Sequence, residues 1–234
     1  FALTLPSRNM GTAGSIDHIA KVVSSTELFG SEALIPVPDI DRTDFLLVIG
    51  ANPMVSNGSL VTAPGWPRRL EALKARGGKL VVIDPRRSET AEVADQHLAI
   101  RPGTDVFLLL ALVHVLYEEG LVAIGALADI TEGVDELKRL VAPFPPEAVA
   151  ARTGVAADAI RELARDFAAA SSAVTYGRIG TSAQKFGTLT SWLIDVVNIL
   201  TGNLDRAGGA MFPLPVTPAL IYNQTYRDGI APNN

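Results

Sequence analysis

Three short apolar runs, each ending abruptly in a polar, turn-forming loop, constrain this chain more than any other feature. Phe45 to Ile49 stops at Gly50-Ala51-Asn52-Pro53. Lys79 to Ile83 stops at Asp84-Pro85-Arg86-Arg87. Gln96 to Ile100 stops at Arg101-Pro102-Gly103-Thr104-Asp105. Aliphatic runs of this length, bounded by turn residues, fit parallel strands covered on both faces. Between the first two runs, Pro67 suits the first turn of a helix, Leu70 and Leu73 supply an apolar face, and Gly77-Gly78 supplies a stop. Residues 45 to 84 therefore read as one strand–helix–strand unit. In open α/β sheets, ligands bind beyond the carboxyl ends of the strands, so these loops are where a site is expected.

The remaining elements follow from periodicity. Ile16, Ile19, Ala20 and Val23 mark one face of a helix, with Ser15 as a cap, and Leu28 to Asp44 reads as a connecting loop. Asn52 to Trp66 reads as a long loop or lid. A short helix is expected over residues 88–93, and Thr104 is placed to cap a helix from Asp105 to Glu119. That helix is apolar nearly all round and belongs deep in the core. Val134, Leu137 and Val141 suggest a short helix, Pro145-Pro146 the start of another, and Ile160, Leu163, Ala164 and Phe167 the face of a third. A fourth strand, residues 173–176, ends at Gly177-Arg178-Ile179-Gly180. The last helix, from Thr188 to Leu200, should bury Leu189, Trp192, Leu193, Val196, Val197 and Leu200. Residues 203 to 234 read as a Gly/Pro-rich exit segment without a core of its own.

Composition narrows the function classes. The 234 residues are 48% hydrophobic and 19% charged, enough for a large core. There is no cysteine, which excludes disulfides, a thiolate metal site and a cysteine nucleophile within this segment. The net charge of −5 argues against nucleic acid as a partner. No apolar run is long enough to span a bilayer, and no signal-peptide pattern opens the chain. A first residue of Phe predicts an excised segment of something longer. His18, His97 and His114 do not cluster and read as packed or surface residues. Asp39-Ile40-Asp41 and Asp44 read as a solvated acidic turn. The cytoplasm is the expected location, with a periplasmic parent as the alternative.

Each loop admits a ligand reading beside a structural one. Gly50 to Asn52 can be an ordinary turn or a close approach of backbone to a ligand, with Ser56 adding a donor. Asp84 at a strand tip can accept from a ribose or base, and Arg86 offers a planar fork for phosphate. The same pair could form a surface salt bridge. Asp105 can serve helix-start electrostatics, or its carboxylate can take two N–H donors from a guanine edge. Gly180, with Gln184 nearby, forms either a tight turn or a fourth wall. No GxGxxG follows the first strand, so the usual nicotinamide fingerprint is missing.

LLVIGANPMVSNG, GGKLVVIDPRRSETAEVADQHLAIRPGTDVFLLLAL, TYGRIGTSAQKFGT and NILTGNLDRAGGAMFP, in this order, resemble the molybdopterin oxidoreductases of the dimethyl-sulfoxide-reductase and formate-dehydrogenase type. The resemblance covers nearly the whole chain. It implies an α/β, Rossmann-like, mostly parallel sheet flanked by helices on both faces. Residues 1–213 would form a single domain binding molybdopterin guanine dinucleotide (MGD), with 214–234 an exit segment. That domain would cradle one half of a bis-MGD cofactor carrying molybdenum or tungsten. Gly50, Asn52 and Ser56 would contact the dinucleotide, Asp84 and Arg86 its guanosine or phosphate part, and Gly103 and Asp105 the guanine. Gly180 and Gln184 would lie nearer the pterin and phosphates.

The departures from that family limit the claim. An upstream iron–sulfur cysteine motif, common in such enzymes, is absent from this segment. So is a cysteine in PSRNMGTAGSID, the zone where a metal ligand would fall, although Ser7, Ser15 and Asp17 carry suitable oxygens. The implied partners are the remaining domains of a parent enzyme, an iron–sulfur cluster among them, and the segment alone is expected to be inactive. A domain that kept the fold and lost the cofactor is the alternative, as is a nicotinamide-dependent dehydrogenase domain.

Overall fold

The computed structural model describes residues 14–61 and 63–213. Its centre is a parallel sheet of strands β2 (Phe45–Ile49), β3 (Lys79–Ile83), β4 (Gln96–Leu98) and β5 (Ala173–Gly177), in the order β4-β3-β2-β5. The register is flush at the carboxyl ends: Ile49 pairs with Ile83 on one side and Gly177 on the other, and Ile83 pairs with Leu98. The loops after all four strands therefore open on one edge. The order reverses between β2 and β5, which makes the crevice there the topological switch point.

Alternation along β2 and β3 divides the core. Leu47, Ile49, Val81 and Ile83 face one cluster, with α6 (Asp105–Glu118), α9 (Ala157–Ala169) and α11 (Gly187–Leu200). Leu46, Val48, Leu80 and Val82 face the other, with Trp66, Leu70 and Leu73 of α4 (Trp66–Ala75). All five residues of β2 are buried, as a central parallel strand requires. Helix α6 sits in the core as its composition demands. The shorter elements α5 (Glu89–Glu92), α7 (Val134–Val141) and α8 (Pro146–Thr153) also fall where sequence places them.

Strand β5 is an edge strand, and side chains occupy its outer hydrogen-bonding groups. Asn198 Oδ1 accepts from Thr175 N at 2.9 Å while its Nδ2 donates to Thr175 O at 3.2 Å. Asn203 Oδ1 accepts from Ala173 N at 3.1 Å. Unpaired, these buried groups would cost roughly 1–3 kcal/mol each.

Several expectations are corrected. The N-terminal helix forms as α1 (Gly14–Asp17) and α2 (Ile19–Phe29), but of its expected face only Ala20 is buried: Ile16 is 72% exposed, and Ile19 and Val23 are also exposed. The buried face is Ala20, Ser24 and Ser25, whose small side chains let α2 approach α11, where Lys21 pairs with Asp195. Leu189 is likewise outward, and Trp192 is half-buried. The expected connecting loop contains strand β1 (Val37–Pro38), which pairs antiparallel with β6 (Ala210–Met211). Residues 203–213 are thus packed on the body, with Leu204 and Ala210 buried, and the expected exit segment 214–234 lies outside the described residues. Asp39 is buried and accepts from Gly208 N and from Arg42, so it is a latch between early and late chain and not a solvated turn. Thr104 does not cap α6 with its side chain; its hydroxyl donates back to Arg101 O at 2.7 Å.

The Lys21–Asp195 pair makes a testable demand. Asp195 is 2% exposed, and burial pushes its carboxyl above the ordinary range while Lys21 pulls it back. A folded-state value above the unfolded one means that the ionised form is disfavoured by folding. Its contribution is most favourable at low pH and is lost as pH rises through the raised value. Lys21→Met leaves the charge buried and alone, at an expected cost of about 3–5 kcal/mol at neutral pH. That loss should shrink as pH falls and the carboxyl protonates. Denaturant unfolding of both proteins between pH 5 and pH 8 checks this; a loss independent of pH would assign the effect to packing.

Candidate functional site

Beyond the aligned strand ends lies a cleft of about 790 Å³. Its first wall is the turn after β2, comprising Gly50, Ala51 and Asn52, continued by Ser56 on the one-turn helix α3 (Pro53–Ser56). Asp84 and Pro85 after β3 form the second wall, and Pro102, Gly103 and Asp105 after β4 the third. Arg178, Gly180 and Gln184, around the one-turn helix α10 (Ile179–Ser182), complete it. Eight of the nine residues singled out from the sequence therefore share one cavity. The ninth, Arg86, is turned away: its side chain is exposed and pairs with Glu89 at 3.1 Å. Only its backbone N–H serves the wall, donating to Asp84 Oδ1 at 2.8 Å.

The glycines act first on one another. Gly50 has φ +55°, and a Cβ there would lie 2.9 Å from the Gly180 carbonyl carbon. A Cβ on Gly180 would lie 2.7 Å from Gly50 O, and Gly180 N donates to that oxygen at 3.0 Å. The close approach inferred for Gly50 is thus met by the turn after β5, which seals the switch point. At Gly103 the requirement is conformational, since its φ is +76° while the nearest atom to a Cβ would be Gln184 Oε1 at 3.7 Å.

Asn52 works inside the wall. Its Oδ1 accepts from Thr90 N and Thr90 Oγ1, and its Nδ2 donates to Glu89 at 2.7 Å. The loop after α3 is pinned under the cleft. Tyr176 donates to Ser59 O at 2.8 Å, Asn57 Oδ1 accepts from Trp66 N, and Gly58 lies against the buried indole. The segment expected to be a long loop or lid is thus a loop tied to the body by these contacts.

Asp105 and Gln184 form the most specific constellation. Gln184 Nε2 donates to Asp105 Oδ2 at 3.0 Å and also lies within reach of Gly180 O and Thr181 O. Three acceptors around that nitrogen fix the orientation of the amide. Its Oε1 is buried, beside Gly103, and has no hydrogen-bond partner among the described residues. Gln184 therefore belongs with Asp105, on the wall the resemblance gives to guanine, and not apart from it. Burial pushes the Asp105 carboxyl up, the Gln184 bond and its own backbone N–H pull it down, and the charge of Asp84 adds to the rise. A buried carboxylate beside an acceptor with no partner among the described residues is a receptor for donors.

Arg178 and Asp17 also line the cleft and were not read from the sequence as binding residues. Arg178 directly follows the last residue of β5, so the strand-end logic applied to the other loops points to it. Asp17, considered as a metal ligand, pairs with Arg178 at 3.4 Å. Ser7 lies outside the described residues. Among those described, no three His, Cys, Asp or Glu side chains are grouped to hold a metal ion. His97 packs against Asp84 O and His114 against Val141 O.

Comparison with known proteins fits this arrangement. The model of the molybdopterin oxidoreductase family matches residues 4–229. Formate dehydrogenase H of Escherichia coli is 32% identical over 209 residues, covering 89% of this chain and 28% of that protein. The F420-dependent formate dehydrogenase 2 subunit alpha of Methanococcus maripaludis is 32% identical over 216 residues, 92% of this chain and 31% of its own. Among solved structures, acetylene hydratase from Pelobacter acetylenicus superposes with a TM-score of 0.76 at 28% identity, over 89% of this chain and 28% of that one. The chain belongs to the molybdopterin oxidoreductase family. It spans roughly three-tenths of the length of these relatives.

Relieving the buried charge of Asp105 should stabilise the ligand-free protein. Asp105→Asn keeps an acceptor for Gln184 and removes a carboxylate that burial disfavours, so its melting temperature should exceed that of the parent above the ordinary carboxylate range. The advantage should vanish at low pH, where Asp105 is protonated in both states. Thermal melts at pH 2.5 and pH 7 check this, and equal melting temperatures of the two proteins at both would count against a strained carboxylate.

Proposed function

We propose that the cleft holds the guanosine diphosphate portion of one molybdopterin guanine dinucleotide, within a larger molybdenum or tungsten oxidoreductase. The observation that carries this is the Asp105–Gln184 pair. Its carboxylate is desolvated, and its amide is oriented by three acceptors at the rim of a cleft large enough for a nucleotide. Guanine presents adjacent N1–H and N2–H donors, the complement of a carboxylate; adenine presents no such edge. The residues fit the group. Asp105 would take the base, while Asp84 would accept from the ribose or base. Ser56 and the Gly50–Asn52 turn would flank the diphosphate, with Gly103 and Gly180 giving the ligand backbone walls. Asn52 acts by holding the turn, and Arg86 by the backbone N–H that orients Asp84.

When bound, the cofactor supplies a dithiolene-held metal that exchanges two electrons with substrate. This chain contributes affinity, orientation and exclusion of water around the nucleotide. The relatives bear the names of formate dehydrogenases and of a hydratase, so the cleft sets how a cofactor is held and not which substrate is transformed. The segment alone is expected to be inactive. The second dinucleotide, the metal's protein ligand and an iron–sulfur cluster are assigned to the rest of the parent.

Calorimetric titration with GMP and AMP tests the reading. A bidentate carboxylate–guanine contact discriminates by about 1–3 kcal/mol, roughly 5- to 150-fold in affinity. GMP should bind more tightly by a factor in that range, and Asp105→Asn should abolish the preference. Equal affinity for the two nucleotides in the unmodified chain would refute the assignment.

A further inference from the structure

We propose that Arg178 is the phosphate anchor of the cleft, with Asp17 as its resting counter-ion. This rests on the nucleotide reading above and adds the cationic group that reading lacks. Among the described residues lining the cleft, three carboxylates (Asp17, Asp84 and Asp105) face a single basic side chain, Arg178. A ligand carrying a diphosphate would be repelled by such a wall unless Arg178 met it.

Of the other arginines in the strand-end loops, Arg87 is exposed and outside the cleft lining, and Arg86 and Arg101 are committed elsewhere. Arg86 is exposed and pairs with Glu89, and Arg101 donates to Ala151 O at 2.7 Å, with its stem against Gly154. Arg178 is sheltered, its side chain 15% exposed, so its charge is less screened than theirs. Its contact with Asp17 is one ion pair of 3.4 Å, longer than the roughly 2.7–2.9 Å of a good charge-assisted bond. A guanidinium has five donors in a fork suited to phosphate, and this one spends little of that capacity on Asp17.

The position is also apt. Arg178 and Gln184 flank α10 and both line the cleft. One short segment after β5 therefore supplies both the partner of Asp105 and the cation. Phosphate would exchange with Asp17 for the guanidinium and release a carboxylate that otherwise opposes binding.

The test uses the 234-residue chain and measures affinities for guanosine, GDP, adenosine and ADP by calorimetry. In the unmodified chain GDP should bind more tightly than guanosine. Arg178→Gln should lower GDP affinity about tenfold or more and leave guanosine affinity unchanged. Asp17→Asn should tighten GDP binding several-fold without moving guanosine, and it keeps the test decisive if Arg178→Gln fails to fold. Arg86→Gln, removing the rival cation, should leave the GDP-to-guanosine ratio intact. The proposal is overturned if that ratio survives Arg178→Gln, collapses in Arg86→Gln, or is one in the unmodified chain. Failure of the guanine reading looks different: guanosine and adenosine would bind equally, yet GDP and ADP would both weaken in Arg178→Gln. That result would retain the phosphate anchor and discard the base assignment.

Discussion

The contact between Gly50 and Gly180 is the constraint on which the rest of the structure depends. Two backbone turns leave adjacent parallel strands and touch without an intervening side chain. Parallel strands with flush ends would otherwise splay into a hole at the point where the strand order reverses. The glycine contact closes that hole with main chain, so the cleft above it has a floor and its walls a fixed separation. A side chain on either residue would have to push β5 away from β2, and with it the turn that carries Arg178, Gly180 and Gln184. The chemistry of the site is therefore held by an interaction that contains no chemistry of its own.

Much of this was legible in the sequence, for reasons that can be stated. The apolar runs at 45–49 and 79–83 have only one home, the middle of a parallel sheet covered on both faces, and their polar ends then fall on one edge. Gly103, Asp84 and Asp105 were found because they terminate such runs. What could not be read is pairing at long range. Asp39 looked like a solvated acid because its partner, Gly208 N, is 169 residues away. The outward stripe of α2 defeated the periodicity rule because Ala20, Ser24 and Ser25 permit closer helix packing than Ile16, Ile19 and Val23 would. The link between Asp105 and Gln184 crosses 79 residues, and nothing in either local motif announces it.

The site also shows how structural and functional uses of one residue compete. Asn52 spends both ends of its amide on Glu89 and Thr90, and Asp84 spends one oxygen on Arg86 N. Asp105 is the exception. It is held by a neighbour but not neutralised by one, and burial disfavours its charge. Such a group is a poor choice for stability and a sound one for recognition. A surface carboxylate beside an arginine would have been more stable and would have told one base from another less well.

The small pairing of Val37–Pro38 with Ala210–Met211 has a wider meaning. It ties the segment between α2 and the sheet to the last described strand, side by side and antiparallel, with Asp39 bonded to Gly208 beside it. Early and late chain are thereby held to each other directly, so loosening the segment before the sheet also loosens the last described strand.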